Sequence, residues 1–411
     1  MPQNPYFSQI EKTLPRLLAM FDVDSTSASQ GLGDRFYWAW GLIDFGNGTF
    51  QGAVHGMARL WKHKLWPYPT PRKRFIKRVD SLFAGAQKLT RTDGSQEEAF
   101  PNEGSFCVTA LVAFDLLSAI DLLSDELDET IKKNWLNAVE PMISFLIKSD
   151  ETHAIISNHL ATAVAALARW HFLTQDPVSE RRAKELLERI LSNQSAEGWF
   201  KEYQGADQGY QTLCTYYLAD VHQIRPDWDL LEPLRRSIQF LWYFAHPDGA
   251  FGGLYGSRCT RFYYPAGVLA LADQIPEAKS LAAGMLESIE RQRVVTISAI
   301  DEPNLVPMFN CYCWAAALEQ ESSAQRQQEN QPVLNLPANA EKPFRKHFPE
   351  AGLIIDRGMS HYTVISYHKG GVTYHFVNNE LKVLDAGVVL KNSGGKFGSS
   401  QSWDNNNSIS L

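Results

Sequence analysis

The 411-residue sequence predicts a mainly α-helical chain, an incomplete (α/α)6 toroid of helical hairpins followed by a short or truncated antiparallel β-domain. Three observations carry that expectation. From about Glu103 to Leu318 the apolar residues recur with the helical period. The helices pair across alternating short and long connections. Beyond a polar, Gln-rich and Pro-bounded stretch at Ser322 to Glu341, the period changes to two.

The elements follow in order. Leu60 to Leu65 and Pro71 to Gln87 supply early helices. Val108 to Leu123 and Lys133 to Ile147 form an amphipathic pair around the acidic turn Ser124 to Glu129. Leu160 to Phe172 and Arg181 to Leu191 form a second pair across Gln175-Asp176-Pro177, where an Asp and a Pro mark a helix start. Tyr210 to His222 and Leu231 to Phe244 are separated by Pro226-Asp227. Pro265 to Leu271 and Glu277 to Arg291 make a fourth pair, and Asn310 to Glu319 a further helix. The long connections share a weak repeat of an acid-Gly turn followed by aromatics: Asn102-Glu103-Gly104-Ser105-Phe106, Glu197-Gly198-Trp199-Phe200 and Asp248-Gly249-Ala250-Phe251. Long loops gathered at one end of a toroid would line its open mouth.

Residues 1–320 are assigned to the toroid, 321–343 to a linker and 344–411 to the β-domain. In the last, Tyr362 to Tyr367 and Val372 to Val377 alternate around Lys369-Gly370-Gly371 as a β-hairpin. Leu381 to Leu390 adds strand, and Gly394 to Asp404 is a polar Gly/Ser stretch. At about 65 residues this region has fewer strands than a β-sandwich requires.

Composition narrows the function. With 44% hydrophobic and 12% aromatic residues the chain can bury a large core. A net charge of -7 argues against nucleic acid, because no basic surplus is present to neutralise phosphates. An acidic ligand needs only a local Arg or His cluster. The five cysteines have neither zinc-site spacing nor a disulfide framework, so no metal or cofactor is expected. No apolar run reaches the roughly 18 residues of a membrane span, and no signal peptide is visible at Met1 to Leu18. A cytoplasmic location is the resulting expectation, with no membrane partner.

The richest stretch for chemistry runs from Ser157 to Tyr217. It opens on Asn158-His159 at a helix start and closes on Asp207-Gln208-Gly209-Tyr210-Gln211 through Tyr216-Tyr217. An amide, an imidazole and phenols on neighbouring hairpins can grip a carboxylate and move a proton beside it. Arg258 stands in the next long loop, where a guanidinium suits a bidentate carboxylate contact. Trp199, Tyr203, Tyr255 and Tyr263 are candidates to stack on sugar rings, and His55 is a candidate for the same cleft. The bland readings are an N-cap for Asn158, a core histidine for His159, a core phenol for one of Tyr216 and Tyr217, and a loop brace for Arg258.

The arrangement resembles the heparinase II/III and alginate lyase superfamily of polysaccharide lyases, which join an α/α toroid to a β-sandwich. Asn158-His159 matches that superfamily's Asn-His pair, and Gln211 to Tyr217 stands where its tyrosine run lies. Tyr216 follows His159 by about 57 positions. Gln211, Leu213-Cys214 and the Tyr216-Tyr217 ending depart from the family pattern. The resemblance implies β-elimination on a uronic-acid polysaccharide: Tyr216, or second Tyr210, as base and acid, and Asn158 with His159 neutralising the carboxylate. Arg258, Trp199, Tyr255, Tyr263 and, from the β-domain, His361 are then substrate-binding candidates, and the partner an acidic polysaccharide or oligosaccharide. Two other readings remain open. A glycoside hydrolase on the same toroid would use two of Glu197, Asp207 and Asp248. A non-catalytic carbohydrate-binding protein would keep only the aromatic mouth.

Overall fold

The computed structural model describes residues 4–98, 104–325, 334–404 and 406–407. Its helices are α1 (Pro5–Leu18), α2 (Arg35–Trp38), α3 (Ala53–Lys62), α4 (Arg72–Leu89), α5 (Phe106–Leu122), α6 (Glu129–Lys148), α7 (Ser157–Thr174), α8 (Pro177–Ser192), α9 (Gln208–Ile224), α10 (Leu231–Leu241), α11 (Pro265–Ala270), α12 (Pro276–Glu290) and α13 (Glu302–Gln325). Helices α3, α5, α7, α9, α11 and α13 touch one another in a closed cycle, α13 returning to pack on α3. Helices α1, α4, α6, α8, α10 and α12 lie outside that ring. The expected α/α toroid is met.

Sequence decides which helix goes where. A helix that is apolar all round has to be buried on every side. Helix α5 is buried almost continuously from Val108 to Ile120, and α7 from Leu160 to Ala168, where the run Leu-Ala-Thr-Ala-Val-Ala-Ala-Leu-Ala lets neighbouring backbones approach. The outer α8 buries only Ser179, Ala183, Leu186, Leu187 and Ile190, a single stripe, and starts on the Asp176 cap with Pro177 behind it. Gly267 marks a close crossing of the inner ring: a Cβ there would lie 2.6 Å from the Tyr216 Cα on α9.

The connections sort by length as expected. Apart from 63–71 between α3 and α4, inner helices pass to outer ones through short turns, such as 175–176 between α7 and α8. Outer helices return to the next inner helix through long loops, 149–156, 193–207 and 242–264. The long loops therefore collect at the N-terminal ends of the inner helices. Strands β1 (Gln96–Glu97) and β2 (Gly104–Ser105) form a small antiparallel pair in another of these loops. Asn102-Glu103, part of the expected repeat, lies outside the described residues.

The C-terminal region is a five-stranded antiparallel meander, β3 (Phe344–Phe348), β4 (Leu353–Arg357), β5 (His361–Ser366), β6 (Val372–Val377) and β7 (Glu380–Asp385), followed by a separate hairpin of β8 (Val389–Lys391) and β9 (Phe397–Ser399). Its first strand starts at Phe344. The single strand expected over Leu381 to Leu390 is broken at Gly387, whose φ of 85° is not a strand conformation. Helix α13 runs to Gln325, past the expected boundary at 320, because Ala, Glu, Gln and Ser sustain a helix once it is started. Residues 326–333 of the expected linker lie outside the described residues.

The meander packs on the toroid. Phe348 meets Phe240, Tyr243 and Phe244, and the Tyr362 hydroxyl donates to Tyr243 O at 2.6 Å. On β6 the alternate residues Val372, Tyr374 and Phe376 are buried. The Tyr374 hydroxyl accepts from Leu254 N at 3.1 Å and from Arg261 at 3.3 Å, both on the loop after α10.

Candidate functional site

Three long loops build the mouth. The strand-like segment after Gly198 is zipped to the start of α7: Ser157 N donates to Lys201 O at 3.0 Å and Tyr203 N to Ile155 O at 3.1 Å. The loop after α10 is tied to the end of that segment, with Ser257 N donating to Ala206 O at 2.8 Å and Arg258 N to Asp207 Oδ2 at 2.8 Å. Asp207 is also the cap of α9, accepting from Tyr210 N at 3.0 Å, and it binds the Thr260 hydroxyl. One buried carboxylate thus sets the positions of both Tyr210 and Arg258.

Over this base the Arg258 guanidinium lies 4.3 Å from the Tyr203 ring centre and 5.8 Å from that of Tyr210. Tyr203 holds a φ of 60°, an unfavourable conformation for a residue with a Cβ, and the paired loops maintain it. Tyr210 is braced edge-on by Phe262 at 5.7 Å. Burial raises the Tyr210 phenol, the Arg258 charge pulls it back, and the result stands at about 12. Tyr203 is raised for the same reason, with Arg258 again opposing.

The α7 side of the mouth carries His159, half-buried, with Nδ1 2.7 Å from Glu151 Oε2. The second oxygen of Glu151 meets His153 Nδ1 at 2.8 Å. Burial works to raise the Glu151 carboxyl, but hydrogen bonds from His159 and His153 prevail and hold it at about 2. In the neutral ring this contact places the proton on Nδ1 and leaves the Nε2 lone pair free.

Beneath them Glu202 is wholly buried. Its two oxygens accept from Asn158 N at 3.0 Å and Asn158 Nδ2 at 2.7 Å. Desolvation dominates over those bonds and raises the Glu202 carboxyl to about 8. Asn158 is therefore not the helix cap that the bland reading gave it: Ile156 is the N-cap of α7, and the Asn158 amide is committed to Glu202.

The structure brings Asn158, His159, Tyr203, Tyr210 and Arg258 to one mouth, and adds Glu151 and Glu202. It separates the remaining candidates. Tyr216 is 1% exposed, packed edge-on to Phe114, Tyr217 and Trp314. It lies eight residues into α9, roughly 12 Å below the mouth at the helical rise, and burial holds its phenol well above its ordinary value. The core position of α9 belongs to Tyr216 and the mouth position to Tyr210. Tyr255 is fully buried with its hydroxyl on His246 at 2.8 Å, and Tyr263 is buried with its hydroxyl on Met285 O, so neither presents a face to a sugar. His361 is on β5, bonded to Asp356 at 2.9 Å, in a cavity of about 310 Å³ lined by Pro247, Arg357 and Met359 rather than by mouth residues. His55 is inside the ring, 2.9 Å from Asp115 and 3.1 Å from Arg59. Trp199 is 8% exposed and edges a cleft of about 500 Å³ with Lys201, Gln204 and His368, beside Tyr203.

The three carboxylates that the sequence offered to a hydrolase are each held in structural hydrogen bonds. Glu197 accepts from Glu350 N and Ala351 N of the β-domain at 2.8 and 3.0 Å, Asp207 is the α9 cap, and Asp248 accepts from Ala250 N at 2.9 Å.

Residues 68–267 match the ulvan lyase N-terminal domain. That segment contains α4 to α10, the first half of α11 and every residue of the mouth. Among solved structures, a chondroitin AC lyase of Streptomyces coelicolor bound to chondroitin sulphate aligns with 98% of this chain and 60% of its own, at 13% identity and a TM-score of 0.61. A xanthan lyase of Paenibacillus aligns with 90% of this chain and 37% of its own, at 11% identity and a TM-score of 0.56. A cellobiose 2-epimerase of Bacillus thermoamylovorans aligns with 76% of this chain and 98% of its own, at 9% identity and a TM-score of 0.55. No curated protein matches by sequence. The expected likeness to polysaccharide lyases built on an α/α toroid is met, and the chain spans about 60% of the chondroitin lyase and 37% of the xanthan lyase. Among the described residues no helix is long and apolar enough to cross a membrane.

Proposed function

We propose that the chain is a polysaccharide lyase that cleaves a uronic-acid-containing polysaccharide by β-elimination at this mouth. The observation carrying the reading is Arg258 stacked over Tyr203 and Tyr210, beside a His159 whose Nδ1 is held by Glu151.

Elimination must neutralise the uronate carboxylate, remove the weakly acidic proton next to it and protonate the departing O4. Arg258 supplies the positive charge for the carboxylate. Glu202, with a carboxyl near 8, is protonated at neutral pH and places no second negative charge below it. His159 Nε2 takes the proton. A phenol near 12 keeps its own proton at neutral pH, so Tyr210 acts as the acid that returns one to O4. Relative to the sequence expectation, the roles move from Tyr216 to Tyr210 and from Asn158 to the Asn158–Glu202 pair. The occupied carboxylates disfavour the hydrolase reading. An acidic polysaccharide fits the lyase reading because Arg258 is an exposed cation at the mouth.

The test is incubation with uronate polymers of the alginate, heparan, chondroitin, hyaluronan and ulvan types, followed by ultraviolet absorbance of the unsaturated product. Absorbance with at least one polymer is expected. New reducing ends without absorbance would mean hydrolysis, and binding without cleavage a carbohydrate-binding protein; either overturns the proposal.

A further inference from the structure

A contact between the toroid and the sheet has a chemistry of its own. Lys369, from the turn between β5 and β6, is 4% exposed. Its ammonium reaches into the loop after α10, donating to Cys259 Sγ at 2.9 Å and to Gly256 O at 3.3 Å. Cys259 is next in sequence to Arg258 and lies at a φ of 58°, pinned by its N–H donating to Gly256 O at 3.2 Å and by Lys369. The two reactive atoms are thus held together by two folded units rather than by a flexible side chain alone. Cys259 is only half-buried, so a small oxidant can reach the sulfur, whereas Cys214, Cys311 and Cys313 are buried in the helical core.

We propose that Cys259 and Lys369 are a modification site, joined under oxidising conditions by a covalent S–O–N bridge between the Arg258 loop and the β5–β6 turn. The oxidant is a peroxide. The thiol S–H and one amine N–H are lost, and S–O and O–N bonds form around one peroxide oxygen. Sulfur and nitrogen each give up two electrons, and two molecules of hydrogen peroxide accept the four, leaving three waters. A thiol reductant reverses the bond. The bridge ties the Arg258 loop to the sheet, so it limits the freedom of the guanidinium that lies over Tyr203 and Tyr210. This inference rests on the Cys259–Lys369 geometry and stands whether or not the mouth is a lyase.

The experiment is hydrogen peroxide treatment of the full chain, trypsin digestion without reductant, and mass spectrometry. The expected species joins the peptide Cys259 to Arg261 to the peptide 358–382, uncleaved after Lys369, about 14 Da heavier than the two together. Reductant returns both peptides. Cys259→Ser and Lys369→Arg each abolish the species. Recovery of Cys259 as free thiol, sulfenic or sulfinic acid, with normal cleavage after Lys369, overturns the proposal, and the unsubstituted protein alone decides it.

Discussion

Substituting Glu202→Gln tests the electrostatics of the mouth floor without using substrate. Glu202 is fully buried and its carboxyl is raised from 4.5 to about 8. A raised acid costs nothing while it is protonated in both folded and unfolded chains, below pH 4.5. Between pH 4.5 and about 8 the unfolded chain releases a proton that the folded chain keeps. Folding stability then falls by up to about 1.4 kcal/mol per pH unit. Over the interval of about 3.5 units the loss reaches a ceiling of about 5 kcal/mol, and it levels off above pH 8. Gln cannot ionise, so Glu202→Gln removes this component of the slope. Any constant cost of placing an amide opposite the two Asn158 donors shifts the whole curve and leaves the slope difference intact. Urea denaturation at several pH values between 4.5 and 9, for both proteins, measures it. A wild-type curve that declines relative to the variant through this window is expected. Parallel curves would mean that Glu202 is ionised in the folded protein, and would remove the uncharged floor from the proposed mechanism.

The other expected outcomes concern positions that the structure separates. Tyr210→Phe lowers kcat by about 10²–10⁴-fold, the range for loss of a general acid, whereas Tyr216→Phe removes a buried hydroxyl without a hydrogen-bond partner and leaves activity and stability near wild type. Steady-state rates on an active polymer check both, and the reverse pattern would return the role to Tyr216. Glu151→Gln frees the His159 ring and lowers kcat by about 10- to 100-fold, less than loss of His159 itself, with KM little changed. Arg169 on α7 lies between Asp121 and Asp220 inside the ring, so Arg169→Ala leaves buried charge uncompensated and costs about 3–5 kcal/mol in a denaturation experiment. Gly205→Ala would put a Cβ 2.1 Å from the Trp403 ring. It is expected to destabilise by about 1–3 kcal/mol, measured by thermal unfolding.

Much of the architecture was legible because period and turn chemistry are local. The all-apolar faces of α5 and α7 and the single stripe of α8 separate inner from outer helices. Asp176-Pro177 and the Asp207 cap fix where helices start. The missed elements have equally local reasons. Helix α1 carries Pro15 inside it, the part of α13 that precedes Asn310 carries Pro307, and the break at Gly387 depends on one backbone angle. The site was legible only in part. Asn158-His159 was marked by its place at a helix start and Arg258 by its place in a mouth loop. Tyr203 was marked as an aromatic of a mouth loop, but Glu151 and Glu202 carried no comparable signal. An acid before a helix and a Glu after a glycine turn occur in ordinary loops, and what distinguishes these two residues is their partners.

Tyr210 and Tyr216 show where sequence alone stops. Both lie on α9 and are six residues apart, less than two full turns, so periodicity marks them as helical without saying which end of the inner ring opens to solvent. That was decided by the long loops collecting over the N-terminal ends, which leaves Tyr210 half-buried at the mouth and buries Tyr216 among Phe114, Tyr217 and Trp314. The same holds for charge. Sequence determined that Glu202 is a carboxyl, that Lys369 is an amine and that the chain folds as hairpins in a ring followed by strands. Only the tertiary structure, by desolvating Glu202 and setting Lys369 against Cys259 across two units, decided that one carboxyl holds its proton near neutrality and that one amine faces a thiol. Burial and pairing depend on atoms distant in sequence, and no local pattern encodes them.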